Sequence, residues 1–167
     1  MTTPYTQHVD IYDDPLDMIE QCLTSAEWGS DRVDDSCLQC AAPTRWGECG
    51  GMFMWREQPR AVHFSLSVDL RAPQPRKMAV LELLALVNER LWMGHFEYWA
   101  EEGVVMFRHT LPMLDRTSPE QGEVAALIAA STEALERFLP AFNFVVWAGK
   151  SPSEAIEAAL FDTAGEA

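Results

Sequence analysis

A chain of 167 residues that is 48% hydrophobic and 23% charged has the composition of one folded domain with a sizeable core, which excludes general disorder. Acidic residues number 26 against 12 basic ones, and the net charge of -14 repels phosphate backbones and anionic lipid surfaces, which argues against nucleic-acid and membrane partners. The longest apolar runs, such as Met78 to Leu81 with Leu83 to Val87, fall short of the about 20 residues that a membrane-spanning helix needs.

The opening Met1-Thr2-Thr3-Pro4-Tyr5 carries neither a basic stretch nor an apolar run. No secretory signal, a cytoplasmic location and four reduced cysteines are therefore expected. Residues 1–13 read as a flexible N-terminal segment and 14–167 as a single domain.

Three helix starts share one grammar. Asp14-Pro15-Leu16-Asp17, Ser118-Pro119-Glu120-Gln121 and Ser151-Pro152-Ser153-Glu154 each place a capping side chain before Pro, with an acidic or amide side chain three positions after the cap. Gln74-Pro75 looks like a weaker fourth start. The first helix is expected over Pro15 to Ala26, with Leu16, Ile19, Cys22 and Leu23 along its apolar stripe. A strand follows near Ser36 to Ala41 and another over Met52 to Arg56. Then Val62, Phe64, Leu66, Val68 and Leu70 alternate with His63, Ser65, Ser67, Asp69 and Arg71, the period of a half-buried antiparallel strand. It pairs with Met52 to Arg56 across the Glu57-Gln58-Pro59-Arg60 turn.

The second helix, Pro75 to Trp92, is apolar around most of its circumference. It is expected between the sheet and another layer, and a second subunit would serve. Gly94 stops the helical run, and an aromatic hairpin follows. If Glu102-Gly103 is a two-residue turn, Tyr98 faces Phe107, Glu97 faces Arg108 and Phe96 faces His109. That register gives one aromatic face and one cross-strand ion pair. A third helix runs from Pro119 toward Leu139, where Pro140 ends or kinks it. Ala141 to Trp147 reads as a strand or as a kinked helical continuation. A last helix covers Pro152 to Phe161. The order α-βββ-α-ββ-α predicts an α+β fold, a mostly antiparallel five-stranded sheet with helices packed on one face.

Few residues carry a chemical signature. Cys37 and Cys40 form a C-x-x-C followed by Cys49. Residues three apart on a strand diverge, so no metal site and no redox pair are expected. His95, Glu97, Arg108 and His109 are the densest polar cluster. A carboxylate near an imidazole suits a general base, yet the register places His95 and His109 on opposite faces. The expected role is a structural Glu97–Arg108 ion pair, with no catalytic residue and no cofactor. Met52, Met54, Trp55, Trp92, Met93 and Trp99 cluster near the middle of the chain, and such side chains suit adaptable binding surfaces. Trp55, Trp92, Trp99 and Met93 are the candidate partner-binding residues.

Several strings are familiar. Ala61-Val62-His63-Phe64-Ser65-Leu66, Asp69-Leu70-Arg71, Asn88-Glu89-Arg90-Leu91-Trp92-Met93-Gly94-His95-Phe96, Phe107-Arg108-His109 and Pro140-Ala141-Phe142 through Trp147-Ala148-Gly149-Lys150-Ser151 together resemble the YbjN-domain family, and more closely its alphaproteobacterial branch. The resemblance covers about Asp14 to Ala167. It implies a type III secretion chaperone-like fold and a role in regulating sensory transduction, with no reaction attached. Fold relatives are small acidic dimers that hold extended client segments. The expectation is a non-enzymatic cytoplasmic protein-binding module, a homodimer that binds another protein or a peptide segment. The alternative is a small-ligand binder or enzyme built on His95, Glu97, Arg108 and His109.

Overall fold

The structure, a computed structural model, describes residues 14–164, with side chains to 161; the N-terminal segment 1–13 lies outside the described residues. Its elements run α1 Asp17–Ser25, β1 Gly29–Asp34, β2 Cys37–Thr44, β3 Gly47–Glu57, β4 Arg60–Arg71, a 3-10 turn at Gln74–Arg76, α2 Lys77–Asn88, β5 His95–Trp99, β6 Val104–Pro112, α3 Gln121–Val146 and α4 Pro152–Ala164. All six strands form one antiparallel sheet in the order β1-β2-β3-β4-β6-β5. The class is α+β as predicted, with six strands rather than five.

The added strand is β1. Its sequence, Gly-Ser-Asp-Arg-Val-Asp, buries no side chain fully, so it carries no apolar alternation to read. It is an edge strand held by its backbone ladder to β2. The turn between them is local chemistry: the Ser36 N–H donates to Asp34 Oδ1 at 2.7 Å, an Asx turn.

Helix boundaries shift for similar reasons. The third helix is capped by Glu120 rather than Ser118. Glu120 and Glu123 form a reciprocal capping box, in which the Glu120 N–H donates to Glu123 Oε2 at 2.9 Å. Arg116 also clamps Glu123 with two bonds of 2.7 Å. That helix continues through Pro140, so Ala141 to Val146 is helix, not strand. An interior Pro costs about 3 kcal/mol. Phe142, Val145 and Val146 are buried just beyond it, and each contributes about 1.5–3 kcal/mol by burial, which outweighs the lost bond.

The second helix ends at Asn88, earlier than the predicted Trp92. The Asn88 amide turns aside to pair with β5, donating to the Phe96 carbonyl at 2.9 Å and accepting from the Phe96 N–H at 2.8 Å. Most of the apolar circumference of α2 is covered within the chain. It packs against β5 on one side and against α3 and α4 on the others, burying Val80, Leu83, Leu84 and Val87. Met78 and Leu81 stay exposed on its outer side.

All the helix–sheet packing lies on one face. There Phe53, Phe64, Phe107 and Phe96 step across β3, β4, β6 and β5 with ring centroids 4.3, 6.4 and 5.5 Å apart, and Phe96 meets Phe142 of α3 at 5.3 Å. Offset and edge contacts at such spacing are favourable for aromatic pairs. Gly51 is required in this layer, because a Cβ there would lie 2.4 Å from the Ser65 carbonyl oxygen. The opposite face carries no helix, and the candidate site lies on it.

A candidate site on the open face of the sheet

Alternation along the strands decides which side chains reach the open face. Register places Gln39, Met52, Ser65, Arg108 and His95 in one row across β2, β3, β4, β6 and β5. Cys37, Met54, His63 and Thr110 form the row beside it, and Ser67, Met106 and Glu97 another.

The β5–β6 hairpin pairs two residues away from the predicted register. Phe96 faces Phe107, Glu97 faces Met106 and His95 faces Arg108. The loop from Ala100 to Gly103 is wider than a two-residue turn, closed by the Gly103 N–H on the Trp99 carbonyl at 2.8 Å. A slip of two leaves every side chain on its predicted face. Arg108 therefore still reaches Glu97 on the diagonal, with Nη1 2.6 Å from Oε1.

Around that ion pair a polar network crosses three strands. The Arg108 Nε–H donates to His63 Nε2 at 3.2 Å. That acceptor role assigns the His63 proton to Nδ1, which donates to Thr110 Oγ1 at 3.0 Å. The Trp99 indole N–H donates to Glu97 Oε1, and His95 Nε2 lies 3.6 Å from Glu97 Oε2. Burial holds the His63 imidazole below its ordinary 6.5, and the Arg108 guanidinium pushes it the same way. Burial alone would raise the Glu97 carboxyl, but the Trp99 N–H and Arg108 hold it below its ordinary 4.5. At neutral pH the network thus holds one cation, one anion and a neutral imidazole, with Arg108 bonded to both of the others. It neutralises itself rather than leaving a free base.

The four candidates for general-base chemistry do not converge. His109 pairs with Phe64 in register and points to the core side, opposite His95, Glu97 and Arg108. Burial, and then the charge of His95, lowers its imidazole. His63 is the member that the sequence reading left out of the cluster. Its signal was the polar alternation of its strand, but only the β4–β6 pairing brings it to Arg108.

The partner-binding candidates occupy three places. Trp55 sits on the core side of β3, packed against buried residues, with its indole N–H on Glu57 Oε1 at 2.7 Å. Trp99 stands on the open face, 42% exposed. Trp92 and Met93 lie together in the turn after α2, beside a small cleft of about 40 Å³ bordered by Ala130 and Phe138 of α3. Trp92 is 83% exposed there. The Arg137 guanidinium lies 5.1 Å from the Phe138 ring in the same cleft.

The cysteines divide as their spacing predicts. Cys37 is on the open face, whereas Cys40 and Cys49 are buried toward the core. Burial pushes the Cys40 thiol up to about 12 and raises Cys49 as well. Among the described residues, no three His, Cys, Asp or Glu side chains are grouped to hold a metal ion. No helix among them is long and apolar enough to cross a membrane.

No curated protein and no solved structure matches the chain. The model of one family, described as "Putative bacterial sensory transduction regulator", matches residues 15–144. That span takes in α1, the whole sheet, α2 and all but the last turn of α3. The chain that carries this sheet and its self-neutralised network belongs to the YbjN family.

Proposed function

We propose that this protein is a non-enzymatic regulatory or chaperone-like module of the cytoplasm, a homodimer that binds a segment of another protein at the Trp92–Met93 cleft. The observation that carries the reading is the exposure of Trp92, an indole left 83% open to solvent next to a cleft floored by Phe138. Large aromatics with a pocket at their side are the usual anchors of protein interfaces. Family membership supports regulation rather than catalysis. The -14 charge favours a client segment with basic residues, drawn in by long-range attraction. The chaperone-like part of the reading leans on the resemblance of fold and on the acidity.

Affinity capture from the native organism tests it, with wild type and Trp92→Ala run side by side. A protein retained by wild type and lost by Trp92→Ala is expected. Equal recovery by both, or no recovery by either, overturns the reading.

A further inference from the structure

The open face is unusual for a sheet side that carries no helix. Such faces normally bear charged side chains. Here the central positions are Met52, Met54, His63, Ser65, Ser67, Met106 and Thr110, none a carboxylate. Charge is kept to the rim, where Asp31, Glu48, Asp69 and Glu97 stand with Arg56, Arg71 and Arg108, and Glu97 is bound by Arg108 at 2.6 Å. Met54 and Trp99 are each 42% exposed. The polar groups among them already bond to one another: Thr110 with His63, His63 with Arg108, Arg108 with Glu97, Glu97 with Trp99. Covering this face would therefore leave few donors or acceptors unpaired, which removes the main cost of burying a polar network.

We infer that the open face, from Met52 and Met54 across to Met106 and Trp99, is the homodimer interface, where a second copy of this chain packs sheet against sheet. Charge selects that occupant. Two chains of -14 repel each other through their acidic surfaces, and a face with an uncharged centre and acids partly offset by arginines at its rim is where a like-charged copy can approach. A basic partner would gain nothing there and is drawn to acidic surface instead. Flat area approaches what a standard dimer interface needs. A six-stranded face, with strands about 4.8 Å apart and residues rising about 3.3 Å each, offers on the order of 600 Å² before side-chain relief. A standard interface needs roughly 800 Å² per partner. Met side chains adapt to their own copy across a two-fold axis, where every contact occurs twice.

This deepens the homodimer part of the proposed function and is independent of the Trp92 cleft. The test is light scattering behind size exclusion on the full chain, with thermal melting as the check on folding. Wild type at about 100 µM is expected at twice the 18.8 kDa chain mass. Met54→Glu places a carboxylate on each side of the interface and is expected to weaken association about 100-fold while the chain stays folded. Trp99→Ser, at the margin, is expected to weaken it about 10-fold. Met78→Glu, on the outer side of α2 where Met78 is 73% exposed, is expected to dimerise like wild type. A monomeric wild type overturns the proposal, as does a Met54→Glu or Trp99→Ser chain that dimerises as tightly as wild type. So does a Met78→Glu chain that dissociates, which would move the interface to the helices. Loss of client capture by Trp92→Ala with the dimer intact would leave both readings standing; a monomeric wild type overturns the homodimer in both, whereas a Met54→Glu chain that still dimerises overturns this interface alone.

Discussion

A Cβ on Gly94 would lie 2.2 Å from Cζ of Phe107. Gly94 also has φ +71°, the left-handed region. The backbone entering β5 is thus pressed against the ring at the centre of the aromatic layer, and Gly is required both for conformation and for space. Gly94→Ala is expected to destabilise the chain by about 2–4 kcal/mol, combining a left-handed penalty with overpacking in a dense core. Urea unfolding monitored by tryptophan fluorescence reads this directly. A loss under about 0.5 kcal/mol would show that Phe107 moves aside at little cost.

The Arg108–Glu97 pair has a definite pH signature. Glu97 has its folded value below its ordinary 4.5. The stability it contributes is fully present above 4.5 and is lost as pH falls through the lower folded value. Arg108→Met keeps the stem's packing and removes the charge. It is expected to cost about 1–2 kcal/mol at pH 7 and progressively less as pH falls through the lowered folded value of Glu97, beneath which the carboxyl is protonated in both states. Thermal melts between pH 3 and 7 would show the two curves converging at the acid end. Parallel curves would remove Glu97 as the partner that matters.

His63 works in the adjacent window. Its folded value lies below 6.5, from burial first and Arg108 second. The unfolded chain therefore takes up a proton near 6.5 that the folded chain refuses. This stability contribution is complete above 6.5 and falls as pH drops toward the folded value. His63→Gln is expected to flatten the fall in melting temperature between about pH 6.5 and 5. Part of the slope will persist, because His109 is lowered as well, by burial and then by His95. An unchanged slope would assign the whole effect to other groups.

Two aromatic truncations separate core from surface. Phe142 is 0% exposed and packs against Phe96 with ring centroids 5.3 Å apart. Phe142→Ala is expected to cost about 3–5 kcal/mol. Trp92, at 83% exposure, is expected to change stability by no more than about 0.5 kcal/mol when cut to Ala. Denaturant midpoints for both check this, and a large loss for Trp92→Ala would mean that the indole holds the turn after α2 in place.

Much of the architecture was legible because its causes are local. The Ser151-Pro152-Ser153-Glu154 start is observed as written: the Ser151 N–H reaches Glu154 Oε2 at 3.1 Å and the Glu154 N–H reaches Ser151 Oγ at 3.3 Å. The same grammar at Ser118 missed by two residues, because Glu120 and Glu123 form the better box and Arg116 fastens it. The alternation of Val62 to Leu70 assigned both faces of β4 correctly. The hairpin register slipped by two at the Ala100–Gly103 loop, yet kept each side chain on its face because the period of a strand is two. Strand β1 was illegible, since an edge strand exposed on both sides has no apolar pattern to betray it.

By itself the sequence determined the α+β class, three helix caps to within two residues, the faces of the central strands and the side of the hairpin on which Glu97 and Arg108 stand. Each of these depends on neighbours a few positions apart. Only the tertiary structure decided that β4 lies against β6 rather than elsewhere, which carries His63 to Arg108 across 45 positions of chain. It also decided that α3 passes through Pro140 and that α4 covers α2. Those outcomes turn on burial shared between distant segments, and burial is a property of the assembled core, not of any stretch of sequence that enters it.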